Sequence, residues 1–133
     1  MAGKTTAEKL LIKPGTTAWA SSPQHRAAIE PLPEGAGWSA APAGATTAVL
    51  FADDERTLRS LLVEHRDALA GPEHLWIAYP KGGRADINRH SLWPIVSELT
   101  GMRPITQIAL DETWSALRFR PLKPGEAPFA PRG

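Results

Sequence analysis

The chain has 133 residues, the length of one ordinary domain, and its 42% hydrophobic and 22% charged residues are typical of a globular fold. It contains no cysteine, which excludes disulfides, thiolate metal sites and thiol nucleophiles. A formal net charge of +1 provides no overall field that would draw the protein to nucleic acid or to acidic lipid.

The sequence shows no sign of export or of membrane insertion. Residues 1–11 contain lysines and a glutamate where a signal peptide has an apolar run. The longest uninterrupted apolar run, residues 48–52, is far shorter than the roughly 20 residues that cross a bilayer. We therefore expect a cytoplasmic protein without membrane contact.

The first third of the chain predicts short elements that are separated by proline and glycine. Pro14 disfavours helix at the residue before it, and Ser22 with Pro23 is typical of a helix start. In chain order, the predicted elements are a helix over 6–11, a strand over 16–20, a short helix over 25–30 and a weak strand around Trp38.

The middle of the chain has clearer periodicity. Asp53 is predicted to cap a helix that ends at Gly71, and Ser91 is predicted to cap the next helix, which places Pro94 at its third residue. In chain order, the predicted elements are a buried strand over 46–52, a helix between Asp53 and Gly71, a strand over 74–79 and a helix over 92–100.

Two strands, 105–110 and 115–122, are predicted to close the fold as a hairpin around the turn 111–114. Alternate residues of the second strand face opposite sides, so Leu117 and Phe119 are expected inside. Residues 1–122 therefore form a single α/β domain. The proline-rich residues 123–133 are expected to be a disordered tail.

This order of elements predicts an α/β fold with a three-layer, Rossmann-like sheet. Right-handed crossovers make the sheet mostly parallel, with 46–52 and 74–79 as central neighbours and the closing hairpin as its antiparallel part. The ending resembles that of the class I methyltransferase fold, shortened by about one βα unit.

Several segments resemble a widespread bacterial family known only as a domain of unknown function. The resemblance spans about residues 5–122 and is carried by the motifs at 7–15, 75–81 and 111–120 and by Asp86. The family often has a second lysine after the one at position 81, where this chain has Gly82. The resemblance implies no activity.

Binding of S-adenosylmethionine requires a glycine-rich turn after the first strand and an acidic residue at the end of the second. The turn here, residues 20–25, has no glycine, and no acidic residue closely follows Trp38. Methyl transfer is therefore disfavoured, and the sequence assigns no cofactor.

The loop after the strand 74–79 is the first candidate site. It follows the carboxyl end of a buried strand, where open α/β sheets bind ligands, and its cations and paired glycines suit an anion. The alternative is a solvated loop in which Asp86 caps a turn and pairs with an arginine. The candidate ligand-binding residues of this loop are Lys81, Gly82, Gly83, Arg84, Asp86 and Arg89.

Asp111 and Trp114 form the second candidate. In the structural alternative, Asp111 accepts hydrogen bonds from the backbone of Thr113 or Trp114, and Trp114 packs on the sheet. In the functional alternative, both converge with Lys81 on one crevice, with Trp19 or Trp114 as an apolar wall.

Other site classes have little support. The four histidines lack the short spacing of a metal pair, so no metal site is predicted, and no serine has a nucleophile-elbow context. The favoured hypothesis is a non-catalytic module that binds an anionic small molecule or a protein. The alternatives are an enzyme derived from the methyltransferase fold, with altered or lost cofactor binding, and a less favoured nucleic-acid-binding accessory. The sequence defines no oligomeric state.

Overall fold

A computed structural model describes residues 5–69, 71–81, 87, 89–121 and 125, with only the backbone of residues 89 and 90. These residues form a six-stranded sheet with helices on both faces. The strands are β1 (Thr17–Ala20), β2 (Gly37–Trp38), β3 (Thr47–Phe51), β4 (His74–Pro80), β5 (Arg103–Ala109) and β6 (Trp114–Arg120). The α-helices are α1 (Thr6–Lys9), α2 (Glu55–His65) and α3 (Arg89–Thr100), and the 3₁₀-helices are Pro23–Ala28 and Pro42–Gly44.

The strand order is β2-β1-β3-β4-β6-β5. The first four strands are parallel, and β3 pairs with β4 from Thr47 opposite His74 to Phe51 opposite Ala78. All five residues of β3 are buried, as expected for a strand covered on both faces. The predicted central position of these two strands is confirmed.

The closing hairpin adds the antiparallel part of the sheet. β6 lies between β4 and β5 and is antiparallel to both, so β5 runs in the same direction as β4. The turn between β5 and β6 therefore lies at the edge of the sheet where β4 ends. The predicted Rossmann-like architecture with a closing antiparallel hairpin is confirmed.

Two hydrophobic clusters cover the two faces of the sheet. One cluster joins α2 and α3 to the sheet and includes Leu62, Val96 and Phe119. The other joins α1 to the opposite face and includes Leu10 and Trp76, whose indole Nε1 donates to the Leu10 carbonyl oxygen at 3.0 Å. The sheet is therefore covered on both faces, and the carboxyl ends of its parallel strands lie together at one edge.

The bounds of α2 differ from those predicted. Asp54, and not Asp53, is the N-cap, because its carboxylate accepts a hydrogen bond from the Thr57 backbone N–H at 2.7 Å. The helix ends at His65, whereas the sequence predicts that it continues to Gly71. Residues 66–69 form a turn in which the N–H of Leu69 bonds to the His65 carbonyl oxygen, and Leu69 is buried.

Three further elements have bounds that differ from those predicted. The helix predicted over 25–30 is the 3₁₀-helix Pro23–Ala28. α3 begins at Arg89, three residues before the predicted start, so Pro94 is its sixth residue and removes one intrahelical hydrogen bond. β5 begins earlier than predicted because a bulge after Pro104 accommodates this proline in an edge strand.

The predicted helix 6–11 ends at Lys9. Leu11 has a φ of 67°, in the left-handed region that closes a helix, and the N–H of Ile12 bonds to the Ala7 carbonyl oxygen at 3.0 Å. No helix in the described part of the chain is long and apolar enough to span a membrane.

Candidate functional site

The sheet changes direction of winding between β1 and β3. From β1 the chain passes to β2 on one side, and it then returns to β3 on the other side. Open α/β sheets bind ligands outside the carboxyl ends of the strands at this kind of point, because the two connecting loops diverge and leave a crevice.

A crevice of about 220 Å³ lies at this point, and we call it the switch-point crevice. It combines hydroxyl groups, one carboxylate and an aromatic wall. Its lining residues are Ser21, Ser22, Gln24, His25, Phe51, Asp53, Thr57, Leu61 and Trp114.

Ser21, which directly follows β1, lines the crevice and is fixed by two hydrogen bonds. The backbone N–H of Ser21 donates to the Val49 carbonyl oxygen at 3.0 Å, and its Oγ accepts a hydrogen bond from the Phe51 N–H at 2.8 Å. These two bonds join the ends of β1 and β3. Ser22 follows directly, and its side chain makes no capping hydrogen bond to the 3₁₀-helix.

Three rings form the apolar wall, and we call them the aromatic trio. The His25 ring is stacked on Phe51, with 4.7 Å between centroids and an interplanar angle of 10°. Trp114 contacts both rings edge to face, at 5.0 Å from His25 and 5.2 Å from Phe51. The three residues come from the β1–β2 connection, β3 and β6, so the wall requires the folded sheet.

The Nδ1 atom of His25 is buried and has no hydrogen-bond partner among the residues that the structure describes. A Ser-His-Asp relay requires a carboxylate at one ring nitrogen to orient the imidazole. Although Ser22 and Asp53 also line the crevice, no bond from His25 to Asp53 is present in the described part. The described residues of the crevice therefore do not form such a relay.

Two adjacent carboxylates differ in their roles at the start of α2. The Thr57 N–H, which bonds to the Asp54 carboxylate, holds the pKa of Asp54 below its ordinary value. Asp54 therefore serves the helix. Asp53 is exposed and lines the crevice, where its carboxylate can accept hydrogen bonds from a ligand.

The predicted loop begins beside the crevice. The backbone N–H of Lys81 donates to the Thr113 carbonyl oxygen at 2.9 Å, so Lys81 and the 111–114 turn share the carboxyl edge of β4. Lys81 is not among the residues that line the crevice. Arg89 begins the backbone of α3. Of the other candidates, Gly82, Gly83, Arg84 and Asp86 lie outside the described residues.

Asp111 and Trp114 have separate roles. The Asp111 carboxylate accepts hydrogen bonds from the backbone N–H groups of Thr113 at 2.7 Å and Trp114 at 2.8 Å, which is the turn proposed as its structural role. That turn directs Trp114 to the crevice. Trp19 was the other residue expected to form an apolar wall. It lies on the opposite face of the sheet, in the cluster that includes α2 and α3, with its ring centroid 4.9 Å from that of His65.

A larger cavity, of about 410 Å³, lies beside the end of α1. It is lined mainly by aliphatic side chains and by Pro14, Pro31 and Pro33, with the polar Thr5, Glu8 and Lys13 among them. We favour the smaller crevice because polar groups converge there from several strand ends. No group of three or more metal-ligating side chains occurs in the part of the chain that the structure describes.

The sequence did not identify Ser21, His25, Phe51 or Asp53 as crevice residues. Ser21 and Asp53 each follow the end of a parallel strand, which was the one available signal. The contact between His25 and Phe51 joins residues 26 positions apart, and only the sheet register brings them together.

Comparisons with solved structures support the fold. A protein of the NADB-Rossmann superfamily from Streptococcus agalactiae matches with a TM-score of 0.55 and 9% identity, over 98% of this chain and 72% of that chain. An uncharacterised protein from Listeria monocytogenes serotype 4b matches with a TM-score of 0.53 and 13% identity, with the same coverage of both chains. No family model and no curated protein matches the chain.

Proposed function

We propose that the protein is a cytoplasmic, bacterial binding module whose small-molecule ligand occupies the switch-point crevice. The observation that carries this proposal is the coincidence of three features at one place. The winding of the sheet reverses there, an aromatic wall is exposed to the crevice, and hydroxyl and carboxylate groups from two strand ends line it.

The lining favours a ligand with both a flat or apolar part and hydrogen-bond donors. The partly buried ring of Trp114, supported by His25 and Phe51, provides the surface for the first part. Asp53 and Ser22 provide acceptor oxygens for the second part. An anionic group of the same ligand would lie outside the crevice, toward Lys81, because the Asp53 carboxylate repels it from the interior.

A non-catalytic role is favoured by the bonds that the crevice residues make. The Oγ of Ser21 accepts a hydrogen bond from the Phe51 N–H, and its backbone N–H donates to the Val49 carbonyl oxygen, so this residue serves to join two strand ends. An enzyme derived from the methyltransferase fold is the second candidate, and the reversed strand β6 favours it. Against it, the first turn carries Pro23, which has no N–H to offer a cofactor.

A thermal-shift screen with nucleotides, S-adenosyl compounds and phosphorylated metabolites tests the proposal, because a ligand that binds the native state raises the unfolding temperature. We expect no shift with S-adenosylmethionine. For any compound that does raise the midpoint, Trp114→Leu and Lys81→Ala should remove the shift. Lys81→Ala should cost under about 1 kcal/mol of stability, because the Lys81 side chain is only partly buried.

Arg66→Ala is the matched control, since Arg66 is an exposed cation just after α2 and does not line the crevice. This variant should retain the full shift. A ligand whose shift survives both Trp114→Leu and Lys81→Ala does not bind at the switch-point crevice, and that result would overturn the proposal.

A further inference from the structure

A second group of polar residues lies at the opposite edge of the sheet. Arg118 is opposite Trp76 of β4 and opposite Thr106 of β5 in the register. Because alternate residues of a strand share a face, Arg118 lies on the face of Ala116 and Trp114, which pack in the α1 cluster. Arg118 is only partly buried there.

The guanidinium group of Arg118 is held in place by one neighbour. Its Nη2 atom lies 3.0 Å from His74 Nδ1. Arginine has only donors, so His74 Nδ1 must be the acceptor and the imidazole must be neutral. Consistently, burial of the ring, and next the charge of Arg118, lower the pKa of His74, with Lys13 acting in the same direction and Glu73 opposing them.

The charge of Arg118 has no carboxylate partner in the described part of the chain. The ion pairs of Arg59 with Glu55 and of His65 with Glu64 do not involve it. The Nε atom of Arg118 is also buried without a hydrogen-bond partner among those residues. A partly buried cation that is bonded only to a neutral imidazole retains a strong preference for an anion.

Two neighbours can complete an anion site. Thr106 is exposed and is the cross-strand neighbour of Arg118 on the same face, at a distance where side chains of this kind meet. Lys13 is exposed, and its charge acts on the pKa of His74, as does the opposite charge of Glu73. Arg120 also lies on this face, opposite Arg103.

We propose that Arg118, together with Thr106, binds an oxyanion, namely the phosphate or carboxylate group of a small-molecule ligand, and that the exposed positive charge of Lys13 strengthens this binding. The site is distinct from the switch-point crevice, because Arg118 is opposite a residue near the start of β4, and the crevice lies beyond the strand ends. Since His74 already holds the guanidinium, little side-chain entropy remains to be lost when the anion binds.

NMR titration of the full chain tests this site, with inorganic phosphate as the probe and the side-chain nitrogens of Arg118 and His74 as reporters. Sodium chloride at matched ionic strength controls for screening. We expect saturable shifts with phosphate and none with chloride. A second titration with acetate tests a carboxylate in place of phosphate. The anion that binds with the higher affinity identifies the kind of group that the ligand carries.

Three variants test the assignment of residues, with the His74 ring nitrogens as the reporter in each. Arg118→Lys keeps the charge but loses the planar fork, so phosphate binding should weaken by about tenfold or more. Thr106→Val and Lys13→Gln leave the Arg118–His74 bond in place and should also weaken binding. Arg56→Gln, which removes an exposed cation on α2, should change nothing.

Either of two results would overturn the proposal. The shifts could fail to saturate with phosphate and with acetate, or the affinity could remain unchanged in all three site variants. Neither result bears on the switch-point crevice, whose residues are not altered in these experiments.

Discussion

At the scale of single residues, His25 is a side chain whose presence packing alone does not explain. Its ring stacks on Phe51, yet its Nδ1 atom is buried without a partner among the described residues. An unsatisfied buried nitrogen typically costs about 1–3 kcal/mol, whereas an apolar ring of similar shape would carry no such cost.

We therefore expect His25→Phe to leave the free energy of unfolding unchanged or to raise it by up to about 1 kcal/mol, because stacking is kept and the unsatisfied nitrogen is removed. Urea unfolding measures this. Phe51→Ala is the contrasting variant and should destabilise the protein by about 3–5 kcal/mol, since it removes a buried ring. A clear loss of stability in His25→Phe would show that the imidazole has a partner in the native state.

At the scale of elements, the start of α2 allows a direct comparison of adjacent residues. The Asp54 carboxylate bonds to the N–H of Thr57, and no such bond to the helix is present for Asp53 in the described part of the chain. An N-cap oxygen satisfies a backbone donor that otherwise lacks a partner.

Asp54→Ala should lower the urea midpoint of unfolding, and Asp53→Ala should leave it unchanged. The pKa of Asp54 is lowered in the folded state, so its contribution is complete above the ordinary value of 3.8 and is lost as the pH falls through the lower folded value. The difference between wild type and Asp54→Ala should therefore diminish at acid pH. Equal effects of the two substitutions would contradict the assignment of the cap.

Strand positions were predictable from the sequence because buried runs such as 46–52 lie between clear turn signals. Helix bounds were less predictable. Asp53 and Asp54 are equally suitable N-cap residues by type, and only the folded backbone determines which of them caps α2. The candidate site was the least predictable part. Trp114 was identified from its motif, but its contact with His25 depends on β6 inserting beside β4, which hydrophobic periodicity does not encode.

At the scale of the whole molecule, the two proposed sites occupy opposite edges of one sheet. The switch-point crevice lies beyond the ends of the parallel strands, and Arg118 lies beside the start of β4. No residue is shared between them. Substitutions at one site should therefore be additive with those at the other, as is usual for sites without common contacts.

The tail allows a prediction about the limits of the domain. Residues 123–133 contain a single bulky apolar side chain, Phe129, so little burial could offset the entropy of ordering them. Deletion of 126–133 should leave the thermal unfolding midpoint unchanged. A marked decrease in the midpoint would show that this segment packs on the domain.

The position of β6 has a consequence for the order in which the sheet can be completed. Among the described residues, β6 is the last strand along the chain, yet it lies inside the sheet and is the strand with which β5 pairs. During synthesis, β5 is made before β6, the strand with which it pairs. The edge of β4, seven residues long, likewise stays open until Trp114–Arg120 are available to pair with it. Native pairing in this part of the sheet therefore requires residues 114–120. A chain that is truncated before residue 114 would keep the pairing of β3 with β4, but it would leave β5 without its partner and one edge of β4 open.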